Sequence, residues 1–227
     1  MSILLPHKFQ EIRRRFGDQP FALLDVGAGN HSARTARQWF PRCRYTGIDR
    51  ERGYDNDAAD FAAMEQFFEL DLTTLRFDAI PDAAYDVILM AHVIEHLHNG
   101  DRVLRGLAPK LKPGGLIYIE FPGPRSLQLP SKRGTLNFWD DPTHVRVFTS
   151  AEIAGLLTSL GFRVVRAGVR RDWLRIALTP AIAVHSKWKN GYVAGGVFWD
   201  LLGFAEGVVA LKNGGAPAAP PSMPARA

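Results

Sequence analysis

The chain of 227 residues is 46% hydrophobic and 22% charged, proportions that exclude a disordered protein and allow one well-buried domain with a small appendage. A single cysteine, Cys43, excludes an internal disulfide framework and fits a reducing cytoplasm. The excess of 28 basic over 23 acidic side chains is too slight to dictate a nucleic-acid partner, although the clusters at Arg13–Arg15 and in "RVVRAGVRRDWLR" would suit an anionic substrate or membrane surface.

In chain order, "MSILLPHKFQEIRRRF" lacks the pattern of a secretory signal and reads as an N-terminal helical segment, residues 1–20. "FALLDV" (21–26) is a buried strand, and "SARTARQWF" a helix that Asn30 or Ser32 would cap. "RYTGID" (44–49) is a second strand, "DAADFAAMEQF" a helix, "FFELDL" (67–72) a third strand and "YDVILM" (85–90) a fourth. "HVIEHL" starts a helix that "DRVLRGLAPKL" continues or restarts after the break His98-Asn99-Gly100, and after the turn "KPGG" comes a fifth strand, "LIYIEF" (116–121). Residues 122–148 have little regular pattern; a loop of that length in a compact domain is functional or disordered, and its aromatic and basic residues favour function. "TSAEIAGLLTSLGF" is a helix with Thr149 and Glu152 as a capping box, and "FRVVRAGV" and "WLRIAL" suggest an antiparallel pair.

These elements form a domain over 21–179. The apolar, glycine-bearing stretch 180–212 reads as a helical cap or dimer surface, with a membrane-peripheral helix as the second reading. The tail from 213 to 227 has the composition of a disordered segment. Strand–helix alternation with near-continuous apolar strands implies an α/β fold, a doubly wound, mostly parallel sheet with helices on both faces. Ligands of such a sheet bind outside the carboxyl ends of its strands. Asp25 to Gly29, Asp49, Asp71 and Ala91 to His96 all fall there.

The loop "LLDVGAGNHS" carries Gly27 and Gly29 directly after the first strand. It matches G-x-G-x-x-G imperfectly, with Ser32 in the sixth position. Asp49 stands where an acid would grip ribose hydroxyls, and Asp71 where one would accept from an adenine amino group. The segments "LLDVGAGN", "YTGID", "FFELDL", "YDVILMAHVIEHL", "LKPGGLIYIEFP" and "THVRVFTSAEIAGLLTSLGF", in this order, resemble the class I S-adenosylmethionine-dependent methyltransferases, especially the small-molecule O-methyltransferase group. The resemblance runs from about residue 20 to 166 and implies a Rossmann-like, seven-stranded methyltransferase fold. It further implies that Gly27 and Gly29 pack on the methionine part of S-adenosyl-L-methionine with Asn30 beside them. Asp25 would lie near its ammonium, Asp49 and Arg50 at the ribose, Asp71 and Leu72 at the adenine, and Ala91 and His92 near the reacting methyl. The sequence departs from the family at His31, where a third glycine is common.

Methyl transfer to a hydroxyl needs an aligned acceptor and a base. Candidates are His92, His96 and His144, with Glu95 nearby; on a helix, 92, 95 and 96 would share one face. "HVIEH" also resembles the E-x-x-E-H helix of metal-dependent small-RNA 2′-O-methyltransferases and ubiquinone-pathway O-methyltransferases, with His92 in the first Glu position and His144 where the RNA enzymes add a histidine. Imidazoles with a carboxylate would suit zinc or another transition metal. His7, His98 and His185 read as surface or capping groups. Phe138 and Trp139 would stack a flat acceptor or pack on the core, and Arg125, Lys132 and Arg133 would bind phosphate or be solvated. The expectation is therefore a cytoplasmic enzyme, in the second reading membrane-peripheral, that acts on a small-molecule acceptor, with a homodimer among its assemblies. A nicotinamide-dependent oxidoreductase and a non-catalytic S-adenosylmethionine-binding protein stay open.

Overall fold

A computed structural model describes residues 5–214. Helix α1 (His7–Phe16) precedes β1 (Phe21–Val26), every residue of which is buried. There follow α2 (Ser32–Trp39), β2 (Cys43–Asp49), α3 (Ala58–Ala62), β3 (Gln66–Glu69), β4 (Tyr85–Ala91), α4 (Gly100–Leu107) and β5 (Leu111–Pro122). The remainder is α5 (Ser150–Ser159), β6 (Phe162–Val169), α6 (Trp173–Ala177), α7 (Thr179–Asn190), α8 (Trp199–Leu202) and β7 (Ala205–Lys212). The strands form one seven-stranded sheet in the order β3-β2-β1-β4-β5-β7-β6. The first five are parallel, and β7 runs antiparallel to both β5 and β6. The doubly wound, mostly parallel α/β sheet is thus present, and its order reverses between β1 and β4, which opens a crevice at their carboxyl ends.

Successive strand residues serve opposite faces. Leu24, Val26, Ile88, Met90, Ile117 and Ile119 share one core with α4 and α5, while Leu23, Tyr45, Leu89 and Tyr118 share the other with α1 and α2. Each fully buried Leu or Ile in these layers contributes roughly 1.5–3 kcal/mol. Acids at the strand ends are therefore held by two packed faces.

Three expectations are corrected. "FRVVRAGV" forms β6, but its partner is β7; "WLRIAL" is helical, because Asp172 caps α6 by accepting from the N–H of Arg175 at 3.1 Å. The stretch 180–212 is helical only in part, since 205–212 is an inner strand of the sheet and the domain boundary at 179 falls too early. Its residues alternate between the faces, Val208 and Ala210 on one and Val209 on the other, and a strand buried on both sides reads as uniform apolar sequence. "HVIEHL" does not start a long helix: His92 turns the chain at φ +56°, and Ile94–His96 is a single 3₁₀ turn. The expected disordered tail, from residue 215 on, lies outside the described residues.

Candidate active site

Gly27 ends β1 at φ +80°, and the N–H groups of Gly27 and Ala28 both donate to the Ile48 carbonyl, at 2.8 and 3.0 Å, hooking the loop onto β2. A Cβ on Gly27 would stand 2.3 Å from Val93 Cγ2, and one on Gly29 would stand 2.6 Å from Tyr54 Cδ1. The room those glycines free is thus filled by the protein's own side chains, which seat the β4 loop and the segment after β2 against the β1 loop. Asn30 and His31 are both left-handed. His31, which precedes α2 without capping it, places Nδ1 2.6 Å from Oδ2 of Asp60 in α3, a fully buried carboxylate. The imidazole in the place of a third glycine is therefore anchored to α3.

The expected cofactor residues gather along one edge of the sheet, where β1 to β4 end, but the acids differ in what they touch. Asp25 is buried, with Oδ2 accepting from Ser32 Oγ at 2.5 Å and Tyr45 OH at 2.6 Å. Burial raises its pKa, against the opposing effects of Lys8 and the two hydroxyls. Its strand position points it toward α2, where it braces the loop from below. Asp49 is half-buried, burial also raises its pKa against the backbone N–H groups of Glu51 and Arg50, and the bond its Oδ1 receives from Glu51 is long, 3.4 Å. Arg50 is exposed and pairs with Glu51 at 3.0 Å. Asp71 caps the turn Leu72–Thr74 through Oδ1, which accepts from Thr73 N at 2.8 Å and Thr73 Oγ1 at 2.6 Å; those bonds hold its carboxyl below the usual range. Leu72 is buried beneath that turn. Ala91 closes β4 beside Glu120 of β5.

His92 sits between two carboxylates, Nδ1 3.2 Å from Glu95 Oε1 and Nε2 3.0 Å from Glu120 Oε1. Burial disfavours its cation, but Glu120 and Glu95 outweigh it and raise the pKa to about 9. With both nitrogens engaged by carboxylates, His92 is built as a bridge between Glu95 and Glu120, and neither nitrogen faces open space as a base would. Glu120 is the hub of the network. Burial opposes its charge, yet Arg170, His7 and His92 hold its carboxyl well below the carboxylate range. Arg170 Nη1 lies 2.9 Å from Glu120 Oε1, and its fork grips Asp200 of α8 at 3.0 and 2.9 Å. Tyr118 OH donates to Glu120 and meets His7 Nδ1 at 2.9 Å, so His7 is a buried network member and not a surface group. The signal for Glu120 was an acid inside the apolar strand "LIYIEF"; Arg170 and Asp200 carried none. Trp199, stacked on Phe204, places its ring 4.9 Å from that of His92.

Beyond His92, the loop 122–148 folds back over the β4 turn, with the N–H groups of Val145 and Arg146 bonding the Glu95 carbonyl at 2.9 and 3.2 Å. This brings His144 beside His96, ring centroids 4.8 Å apart. His144 Nδ1 donates to the Phe138 carbonyl at 2.6 Å. His96 Nδ1 faces the Thr143 carbonyl at 3.2 Å and Thr143 Oγ1 at 2.9 Å, and that hydroxyl donates to Asp141. A carbonyl only accepts, so each imidazole carries a proton on Nδ1, and among the described residues neither Nε2 has a hydrogen-bond partner. Glu95 is fully buried and its Oε2 has no partner among the described residues, while Glu95, His96 and His144 offer ligand atoms within 4.8 Å of one another. Phe138 is a core residue; Trp139 is exposed.

A family model described as a methyltransferase domain matches residues 4–167. The chain belongs to that methyltransferase family. A curated relative from Mycolicibacterium smegmatis, named as a probable S-adenosylmethionine-dependent methyltransferase, is 34% identical over 85 residues, 37% of this chain and 31% of the relative. The matched segment thus spans about a third of that relative's length. Among solved structures, a SAM-dependent methyltransferase from Archaeoglobus fulgidus superposes with a TM-score of 0.60 at 19% identity, covering 90% of this chain and 91% of that one. The 1,6-didemethyltoxoflavin-N1-methyltransferase of Burkholderia thailandensis, solved with S-adenosylhomocysteine, gives 0.56 at 18% identity, covering 91% and 76%. These structural likenesses bear on the fold. Membership replaces the nicotinamide reading with S-adenosylmethionine as the cofactor of this methyltransferase. The residues fit it at Asp49: a carboxylate partly withdrawn from water and weakly partnered is what a ribose diol satisfies.

Proposed function

We propose that this protein transfers a methyl group to an oxygen of a small molecule, in the class of sugars, lipid-linked acceptors or natural products, and that His144, with His96 beside it, removes the acceptor's proton. The observation that carries this reading is the pair of Nε2 atoms, without hydrogen-bond partners among the described residues, beside a buried carboxylate. S-adenosylmethionine supplies an electrophilic methyl on a sulfonium. Asp49 would hold its ribose, with Arg50 beside it. Leu72 and the free oxygen of Asp71 would flank the adenine, while Gly27, Gly29, Asn30, Ala91 and His92 shape the methionine end. The protein then has to align the acceptor, exclude water and take up a proton. His144 suits the last task because Glu95 Oε1 and Asp141 Oδ2 each lie 3.9 Å from its Nε2 and would stabilise the imidazolium it becomes. His92, held between two carboxylates, positions Glu95 and Glu120 instead.

A second reading rests on the unpartnered Glu95 Oε2. Glu95, His96 and His144 would hold a divalent transition metal that acidifies the acceptor hydroxyl, and the bond from His144 Nδ1 to a backbone carbonyl is the outer-shell support such a ligand needs. Methyl transfer to a hydroxyl-acceptor panel, measured with and without a chelator, separates the two. His144→Ala and His96→Ala are expected to lower turnover about 10²- to 10⁴-fold, with calorimetric affinity for S-adenosylhomocysteine unchanged. Full turnover in both variants overturns the histidine base. Activity lost to the chelator and restored by zinc or manganese selects the metal, and activity indifferent to it selects the base alone.

A further inference from the structure

We propose that the outer face of α6 and α7 seats the protein on an anionic lipid surface. Four side chains of this short stretch stand far into solvent: Trp188 is 83% exposed, Trp173 76%, Val184 71% and Leu174 56%. Leu174, Ala177, Ala181, Val184 and Trp188, all exposed, follow one another in steps of three and four, the spacing of one helical stripe. Leu178 alone separates the two helices, and its backbone stays right-handed. The amphipathicity of α7 is reversed: the side chains it buries are Thr179 and Ser186, while valine and tryptophan face out. Val184, Trp188, Ala183, Val193 and the Lys187 stem line a shallow depression of about 440 Å³ on this face.

Charge selects the occupant. Between Trp173 and Trp199 there is no aspartate or glutamate, whereas Lys187 and Lys189 are exposed at the end of α7. The loop 122–148 adds cations at the same flank: Arg133 lies 4.2 Å over the Tyr192 ring and Lys132 5.8 Å from that of Phe198. Tryptophan and aliphatic groups ringed by lysine and arginine, on a helix of 12 residues, match an element that lies in a headgroup layer. Among the described residues no helix is long and apolar enough to cross a membrane. The segment runs on into Trp199 beside His92, so seat and reaction site share one stretch of chain. The contact itself requires no step of the transfer chemistry.

Flotation of the full-length protein with vesicles of phosphatidylcholine, plain or doped with phosphatidylglycerol, tests this. The protein should float with the anionic vesicles and far less with the neutral ones. It should be released by 1 M salt, where the Debye length falls to about 3 Å. A Trp173→Ser/Trp188→Ser variant and a Lys187→Glu/Lys189→Glu variant should each bind about tenfold more weakly or worse. Both change exposed groups, so an unchanged melting temperature and unchanged S-adenosylhomocysteine binding certify their fold. The proposal is overturned if the wild type floats with neither vesicle, or if the tryptophan variant floats as well as the wild type. It is equally overturned if the tryptophan variant splits a dimer while vesicles stay bare, since the face would then be an interface between two copies.

Discussion

Gly27 meets two demands at once, a backbone turn at φ +80° and the approach of Val93 to within 2.3 Å of where a Cβ would stand. Gly27→Ala incurs about 1–2 kcal/mol for the left-handed backbone and about 1–3 kcal/mol for overpacking. Thermal melts should fall by roughly 4–20 °C, and adding Val93→Ala should recover the packing part and leave the backbone part. A single variant that melts with the wild type would show that the loop yields. The glycines themselves were legible in the sequence, because few other residues turn a strand into a left-handed step. What they make room for was not, since Val93 and Tyr54 arrive from the loops after β4 and β2. The same holds for His92: its place at a strand end was visible, whereas its charge depends on Glu120, which is 28 positions away along the chain.

Among the elements, loop 122–148 is gathered at one point by a single side chain. Asp140 accepts from the N–H groups of Lys132, Leu136 and Asn137 at 3.0, 2.8 and 2.8 Å, and from the Ser131 hydroxyl. Partial burial opposes its charge, but the Asn137 N–H, the Ser131 hydroxyl and the other two amides outweigh it and lower its pKa to about 2. Asp140→Ala leaves three amides without their acceptor, a loss of about 1–3 kcal/mol confined to the loop. Limited proteolysis should cut the loop faster while global melting changes little. Turnover should fall as well, because the Phe138 carbonyl that orients His144 belongs to the same turn. Resistance to protease equal to the wild type would count against that account. The strands of the parallel half were readable because they are unbroken apolar runs, and the helices around them because their caps and stripes are local. "HVIEHL" misled because 3₁₀ and α turns share the spacing of three. β7 misled because a doubly buried strand and an apolar helix have the same composition.

For the molecule as a whole, the network on Glu120 joins α1, β4, β5, the Arg170 segment and α8, so its protonation bears on global stability. His92 has a folded pKa of about 9, above its ordinary value near 6.5. The stability it contributes is complete below pH 6.5 and is lost as pH rises through 9. Glu120, lowered, contributes above its ordinary value and loses that contribution as pH falls toward its folded one. Denaturant midpoints should therefore decline from pH 6.5 to 9 in the wild type and lose much of that slope in His92→Gln. An unaltered slope would assign the alkaline decline to other groups.

The position of β7 between β5 and β6 also shapes how the protein is made. Among the described residues, the strand that comes latest in the chain is an interior one. Until it arrives, β5 shows a bare edge and β6 has no place in the sheet, and unpaired edges invite pairing between molecules. A nascent chain that stalls near residue 200 is therefore exposed to aggregation with most of its core already built, and chaperone protection matters most until β7 has emerged.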